Sequence, residues 1–257
     1  VNGTARLGNT GYGVYVNTAG NIIGGTAAGS GNLISGNSLS GLDLDGSGAT
    51  QNQVQGNFLG TDVSGTAHLG NGQHGVLISN AASNNQIGLG GTPPVAGANT
   101  IAFNAGAGVF VASGTGNAIL SNSIFTNGQL GIDLAPQGVT LNDSLGHNGA
   151  NHDQNFPVIQ SVMTSGGSTT IQAMLQSTPG RTFTVQFFAS PAGDPSNYGQ
   201  GQVYLGSMTL TTDPSSGQGT TTFTTTSALT SGWIVTATAT DMTTNDTSEF
   251  SQDATAP

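Results

Sequence analysis

NTGYGVYV (residues 9–16), NSLSGLDL (37–44), NGQHGVLI (71–78), NAGAGVFV (104–111) and NGQLGIDL (127–134) are five copies of one pattern. Each reads Asn, three residues, Gly, then two apolar residues flanking a variable one. The glycines Gly13, Gly41, Gly75, Gly108 and Gly131 stand 28, 34, 33 and 23 residues apart. Self-similarity at such a period marks an architecture of stacked units, none of which buries its apolar side alone. The apolar-x-apolar ending is the period of a strand with one face buried.

A second strand follows each of the first four copies. It opens on Asn and carries an aliphatic residue two positions later: NII at Asn21, NQV at Asn52, NQI at Asn85 and NAI at Asn117. A third follows as NLISGN from Asn32, FLGT from Phe58, NTIAFN from Asn99 and IFTN from Ile124. Three short strands per turn predict a parallel β-helix of about five coils over residues 1–135. Inward columns are then Val14, Leu42, Val76, Val109, Ile132; Val16, Leu44, Ile78, Val111, Leu134; and Ile23, Val54, Ile87, Ile119. The corner asparagines are expected to pair coil to coil, and glycine to supply turn conformations with positive φ. Longer turns are explained by loops at Thr26 to Gly31, Thr61 to Gly70 and Leu89 to Ala98, rich in Gly, Pro and small residues.

After Ala135 the periodicity stops, and residues 136–156 read as a polar connector. From residue 157 to 257 the style changes to about seven strands separated by Gly, Pro, Asp and Ser turns: PVIQSVM, TTIQAML, TFTVQFFAS, QVYLGSMTLTT, GTTTFTTT, GWIVTATATD and TSEFS. That count and spacing predict an immunoglobulin-like β-sandwich, with Trp233 as its core anchor. The fold expected is all-β throughout: a parallel β-helix followed by a sandwich.

Composition narrows the function. The formal charge is −10, only 5% of residues are charged, lysine is absent, and Arg6 and Arg181 are the sole strong cations. This leaves no basic surface for nucleic acid or anionic membrane. No apolar run reaches the ~18 residues of a membrane span, so membrane insertion is not expected. There is no cysteine, hence no disulfide or thiolate metal site. The chain opens on Val1 without a start methionine or signal peptide, as expected after export processing or trimming. An acidic protein, extracellular or on the cell surface, fits best.

Two stretches, GGTAAGSGNLISGN (Gly24 to Asn37) and NQVQGNFLGTDVSGTAHLGNGQHGVLI (Asn52 to Ile78), resemble bacterial secreted right-handed parallel β-helix repeat proteins, relatives of the pectate-lyase-like solenoids. ATATDMTTNDTSEFS (Ala237 to Ser251), with NFPVI at Asn155, is similar to the immunoglobulin-like module that closes many such chains. The resemblance implies right-handed coiling and secretion. It does not select a function, since such solenoids include enzymes, adhesins and structural proteins.

Polysaccharide chemistry on this scaffold has few residues to use. A β-eliminating lyase needs a Lys or Arg base, and the coils hold only Arg6, outside the repeated strands. A hydrolase needs two carboxylates about 5–9.5 Å apart. Asp43 and Asp133 fall in one outward column three coils apart, about 14 Å, which is too far. Asp43 and Asp45 share a face at roughly 6.6 Å and are the best acid pair, though they read as solvated side chains with no neighbour to raise either pKa. Asp143, His147, His152 and Asp153 in the connector are the only cluster with metal-ligand character, Ca²⁺ being the candidate ion, but they match no zinc motif or calcium nonapeptide. These absences lean against an enzyme and leave no confident catalytic residue, cofactor or metal. Sequons stand at Asn2, Asn142 and Asn245.

Self-association is the more specific expectation. VNGTARLGN (1–9) aligns without gaps to VSGTAHLGN (63–71), so the chain enters part-way round a coil. A solenoid cut there exposes apolar side chains and unpaired strand edges. Candidate interface residues are Val1, Leu7, Val14 and Val16 at that end, with Leu77 and Phe110 as an outward apolar pair. A structural or surface protein assembling head-to-tail into a filament or array is expected. A polysaccharide-binding or polysaccharide-degrading module and a fragment of a larger adhesin are the alternatives.

Overall fold

The computed structural model describes residues 3–144 and 148–257. The N-terminal part consists of three parallel sheets, to each of which every circuit of the chain adds one strand. The first holds β1 (Val14–Val16), β4 (Leu42–Asp45), β7 (Val76–Ser79), β10 (Val109–Val111) and β13 (Ile132–Leu134) in sequence order. The second holds β2 (Ile22–Gly24), β5 (Gln53–Gln55), β8 (Gln86–Gly88) and β11 (Ala118–Leu120). The third holds β3 (Leu33–Ile34), β6 (Phe58–Leu59), β9 (Thr100–Ala102) and β12 (Ser123–Phe125). In the first sheet the register joins Val14, Leu42, Val76, Val109 and Ile132, and then Val16, Leu44, Ile78, Val111 and Leu134. These columns, with Ile23, Val54, Ile87 and Ile119 of the second sheet, lie in one apolar core, as the alternation predicts. The arrangement is parallel-β-helix-like.

The corners between sheets are built from asparagine. At one corner Asn21, Asn52, Asn85 and Asn117 follow one another; at a second Asn32, Asn57, Asn99 and Asn122; at a third Asn9, Asn37, Asn71, Asn104 and Asn127. Asn99 is typical: its Oδ1 accepts the backbone N–H (2.9 Å) and the Nδ2 (3.0 Å) of Asn57, while its own Nδ2 donates to Asn122 Oδ1 (2.8 Å) and to the Val54 carbonyl (2.7 Å). One side chain thus satisfies corner groups of three circuits where strand pairing is interrupted. The residue before the asparagine is left-handed at most corners, as at Gln51, Asn84, Phe103, Ser121 and Thr126, or is a positive-φ glycine such as Gly20, Gly36 or Gly56. That residue makes the bend.

Glycine supplies positive φ at many turns, as expected, among them Gly20, Gly36, Gly56 and Gly60, but the repeat glycines Gly13, Gly41, Gly75 and Gly108 are not among the positive-φ residues. They are needed for space. A Cβ on Gly75 would stand 2.4 Å from Ile101 Cγ2 and 2.6 Å from the Gly108 carbonyl oxygen. The corner brings successive circuits too close for any side chain there.

The C-terminal part is antiparallel and sandwich-like. One sheet has the order β14 (Val158–Ser165), β15 (Ser168–Gln176), β18 (Gln218–Thr224). The other has β17 (Val203–Thr211), β16 (Thr182–Ser190), β19 (Ile234–Asp241), β20 (Ala254–Thr255). Ile171, Leu175, Phe183, Val185, Phe187 and Val235 fill its core, with Phe223 stacked on Phe187 at 5.0 Å. Trp233 is half-exposed and lies outside that core, because Phe183 and Phe187 already occupy the centre of β16. The expected seventh strand, TSEFS, is not a strand. Thr247, Glu249 and Phe250 are turned toward the parallel sheets instead, while the Ser248 and Ser251 hydroxyls accept the Ala239 and Ala237 N–H groups of β19.

That segment closes the last circuit. Phe250 and Phe188, ring centroids 5.2 Å apart, join the apolar core of the parallel sheets. Backbone N–H groups with no further circuit to pair with find one acceptor each: Gly116 on Asp246 Oδ1 (2.6 Å), Ile119 on Thr247 Oγ1 (3.0 Å), Ser121 on Gln186 Oε1 (3.0 Å), Asn127 on Gln200 Oε1 (3.1 Å) and Leu134 on Glu249 Oε1 (2.9 Å). The stretch 136–156 also departs from a purely polar connector. Ala150 and Asn151 are buried in a 3-10 turn (Ala150–Asp153), and Asn151 Oδ1 accepts the Asn117 N–H (3.1 Å), extending that ladder by one member.

The ladders carry a direct prediction. Replacing Asn99 with Ala strands the Asn57 N–H and one of its two amide hydrogens in a dry interior and takes a donor from the Val54 carbonyl, at about 1–3 kcal/mol for each unsatisfied group. Asn99→Ala is therefore expected to lose several kcal/mol in urea unfolding. Asn21→Ala, on the half-exposed first circuit, should lose about 1 kcal/mol. Equal losses would show that the ladders do not act by desolvation.

Candidate functional site

The outer face of the first sheet carries the densest polar network. Asp43 and Asp45 alternate with Leu42 and Leu44 on β4 and so project from the side opposite the core. Ser79, which pairs with Asp45 across β7, donates to Asp45 Oδ1 (3.0 Å) and more weakly to Asp43 Oδ1 (3.3 Å). The two oxygens are thus no more than about 6 Å apart, close to the sequence estimate. Asn80 Nδ2 donates to Asp45 Oδ1 (2.6 Å), and the Tyr15 hydroxyl donates to Asp45 Oδ2 (2.5 Å). The Tyr12 hydroxyl partly offsets the upward displacement of the Asp43 carboxyl, and the Tyr12 ring stacks on Tyr15 with centroids 6.2 Å apart.

Asp43 is only 2% exposed, so the pair are not two solvated side chains. Burial, with a smaller push from the Asp45 charge, raises the Asp43 carboxyl from 3.8 to about 6. Asp45 moves the other way, lowered chiefly by the Tyr15 hydroxyl and then by Asn80 and Ser79. Two neighbouring carboxylates with opposite displacement can divide into a proton holder and an anion. Sequence reasoning missed this because Tyr12 and Tyr15 belong to the previous circuit. The signal available was that Tyr15 and Asp43 occupy the same column.

Along that column the register runs Asp43, Leu77, Phe110, Asp133, placing Asp133 three strands from Asp43. Leu77 and Phe110 are half-buried, and Phe110 lies against the His74 ring at 4.8 Å. Asp133 is buried beneath the following loop and accepts the Gly138 N–H (3.2 Å); burial raises it to about 6. Arg6 is spent on carbonyls, its Nε donating to Gly36 (3.0 Å) and its guanidinium to Gly70 (3.2 Å). It is held away from any role as a base.

The connector residues do not converge. His152 Nδ1 pairs with Asp246 Oδ2 at 2.7 Å. Asp153 Oδ2 accepts the Gly149 N–H (2.8 Å), and the Asp143 N–H donates to Asn155 Oδ1 (3.3 Å). His147 lies outside the described residues. Asp143 and His152 do share the wall of a cleft of about 510 Å³ with Arg181, Asp241 and Asp246. Among the described residues, no group of three or more His, Cys, Asp or Glu could hold a metal ion.

Of the interface candidates, Val16 is buried and Val14 packs against the core, whereas Leu7 is 70% exposed. Val1 lies outside the described residues, as does the sequon at Asn2. Both ends of the Asn142 amide are committed to the Phe156 backbone, at 2.8 and 2.9 Å, while Asn245 is exposed on a left-handed turn. Among the described residues no helix is long and apolar enough to cross a membrane. No protein-family model matches the chain.

The Asp43 displacement has a sign that can be measured. A carboxyl raised from 3.8 to about 6 contributes stability that is complete below the lower value and lost as pH rises through the upper one. Asp43→Asn keeps an acceptor and a donor there without the charge. It is expected to raise the thermal midpoint at pH 7.5, by the equivalent of ~1–2 kcal/mol after solvent screening, and to change little at pH 4. Calorimetry at both pH values checks this. A loss at pH 7.5 would mean that the charge itself is structural.

Proposed function

We propose that this chain is an extracellular structural or surface protein that self-associates through the open edge of its first circuit. In this reading the parallel region is a right-handed parallel β-helix and the antiparallel region an immunoglobulin-like sandwich. The supporting observation is the state of the ladders at that edge. β1, β2 and β3 are each terminal in their sheets. Asn21 and Asn32 each donate to the next circuit through N–H and Nδ2, and Asn9 does so through its N–H; among the described residues no donor is seen on any of their three Oδ1 atoms. Around them Leu7, Ile22 at 66% and Leu33 are exposed apolar side chains.

The edge therefore asks for apolar contact and hydrogen-bond donors. Two copies meeting edge to edge would oppose one set of amide oxygens with another, which disfavours a closed symmetric dimer. A heterologous contact onto a different surface of the next copy does not close and gives an open polymer. The extracellular setting follows from the resemblance to secreted repeat proteins and from the acidic composition.

The wild type is expected to form species larger than a dimer in sedimentation velocity and extended particles in negative stain. The double substitution Ile22→Lys, Leu33→Lys should leave monomers with an unchanged circular-dichroism spectrum. A wild type that stays monomeric at every concentration would end the assembly reading.

A second reading is favoured by the opposed Asp43 and Asp45 carboxyls beside the stacked Tyr12 and Tyr15: binding, or hydrolysis, of a polysaccharide along the outer face of the first sheet. Tyrosine rings offer stacking surfaces to sugar rings, and the acid pair offers hydrogen bonds and a proton. A glycan-array and reducing-sugar screen should then give a hit that Asp43→Asn or Asp45→Asn weakens at least tenfold. Retention of the hit in both variants would remove the pair from the site.

A further inference from the structure

Where the antiparallel region meets the last circuit, two carboxylates are buried near each other, and among the described residues no cation pairs with either. Glu249, 2% exposed, sits in the segment between β19 and β20. Its Oε1 accepts the Leu134 N–H of β13 and its Oε2 accepts the Thr140 N–H (2.9 Å each), so this one side chain holds the last parallel strand and the following loop to the antiparallel region. Asp133, 1% exposed, is adjacent in sequence to Leu134 and accepts the Gly138 N–H of the same loop. The Asp133 charge raises the Glu249 carboxyl further, beyond the larger effect of its burial.

Three other carboxylates stand along this seam. Asp246 receives the Gly116 N–H and pairs with His152. Asp194 receives Gln200 Nε2 (2.8 Å); Asp253 receives the Asp194 N–H on Oδ2 (3.2 Å), while its buried Oδ1 has no partner among the described residues and burial raises its carboxyl to about 6. The two arginines are held elsewhere, Arg6 on the first circuits and Arg181 on Asp241. Two N–H donors aimed at Glu249 suit one negative charge in the seam. A second charge, on Asp133, would have only the single Gly138 N–H, and among the described residues no cation pairs with it.

We propose that docking of the antiparallel region onto the last parallel circuit is proton-linked: Asp133 and Glu249 together retain one proton, and its loss loosens the seam. With that proton in place the pair carries one charge, shared over a site built to hold one. Without it two like charges face each other where water is excluded, and separation of Glu249 from Leu134 and Thr140 relieves them. The seam is then tight in acid and opens locally as pH rises, while mid-stack asparagine ladders, which do not titrate, stay closed. The direction agrees with Glu249 displaced upward from 4.5 to about 8 and Asp133 to about 6, both mainly by burial: the stability they lend is full below their ordinary values and lost as pH passes through the raised ones.

The test is amide hydrogen exchange of the intact chain from pH 5 to 9, corrected for the intrinsic base-catalysed rate. The opening constants at Leu134, Gly138 and Thr140 are compared with those at Gln53 and Gln86 in mid-stack. One linked proton predicts that the seam-to-mid-stack ratio climbs by up to tenfold per pH unit from pH 5 to about 8 and levels off above it. Asp133→Asn, which preserves the acceptor for Gly138, should flatten that climb. His152→Asn, at a left-handed position asparagine tolerates, should leave it intact. A ratio constant with pH in the wild type overturns the proposal, as does a climb abolished by His152→Asn. If Asp133→Asn does not fold, the wild-type and His152→Asn profiles still decide the matter.

Discussion

The corner asparagine is the interaction on which the rest of the molecule depends. A chain that turns three times per circuit repeatedly breaks its strand pairing, and each break leaves backbone N–H and C=O groups facing an interior with no water. An asparagine amide, with a donor and an acceptor on one rigid plane, can bridge the circuit before and the circuit after. Asn57, Asn71, Asn85, Asn99 and Asn104 do so in fully buried positions. The strands of the parallel region are only two to four residues long. Without the ladders, such short strands would have little to hold their register.

The same logic explains the two ends. A ladder is directional: each asparagine donates toward the next circuit and accepts from the previous one. At the far end donors are left over, and the antiparallel region answers them with Asn151, Gln186, Gln200, Asp246, Thr247 and Glu249, while Phe250 and Phe188 cover the apolar cross-section. At the near end acceptors are left over, and no described residue answers them. The antiparallel region thus has its own core but lends Phe188 and Phe250 to that of the parallel sheets, and hydrogen bonds line the seam between them.

Much of the parallel region was legible in the sequence because its period is written in every circuit. The inward columns of valine, leucine and isoleucine and the stacking of asparagines follow from spacing alone. The repeat glycines were legible as required but not for the right cause: Gly75 makes room for Ile101 and Gly108, and the left-handed bend belongs to residues such as Asn84 and Phe103, whose side chains give no hint of it. Asp43 looked solvated because strand alternation reports only which face a residue takes. It cannot report that Tyr12 and Tyr15, a circuit away in sequence, lie over that face.

By itself the sequence determined that the chain is all-β, that its first half stacks as repeated short strands, and where the change to antiparallel strands occurs, since these properties are encoded in local period. Only the tertiary structure decided what the unrepeated residues do. TSEFS reads as one more strand, yet Thr247, Glu249 and Phe250 serve an edge more than a hundred residues earlier. Asp133 and Glu249, distant in sequence, share one buried site. Electrostatics in a protein interior depends on neighbours and exclusion of water, neither of which has a period along the chain.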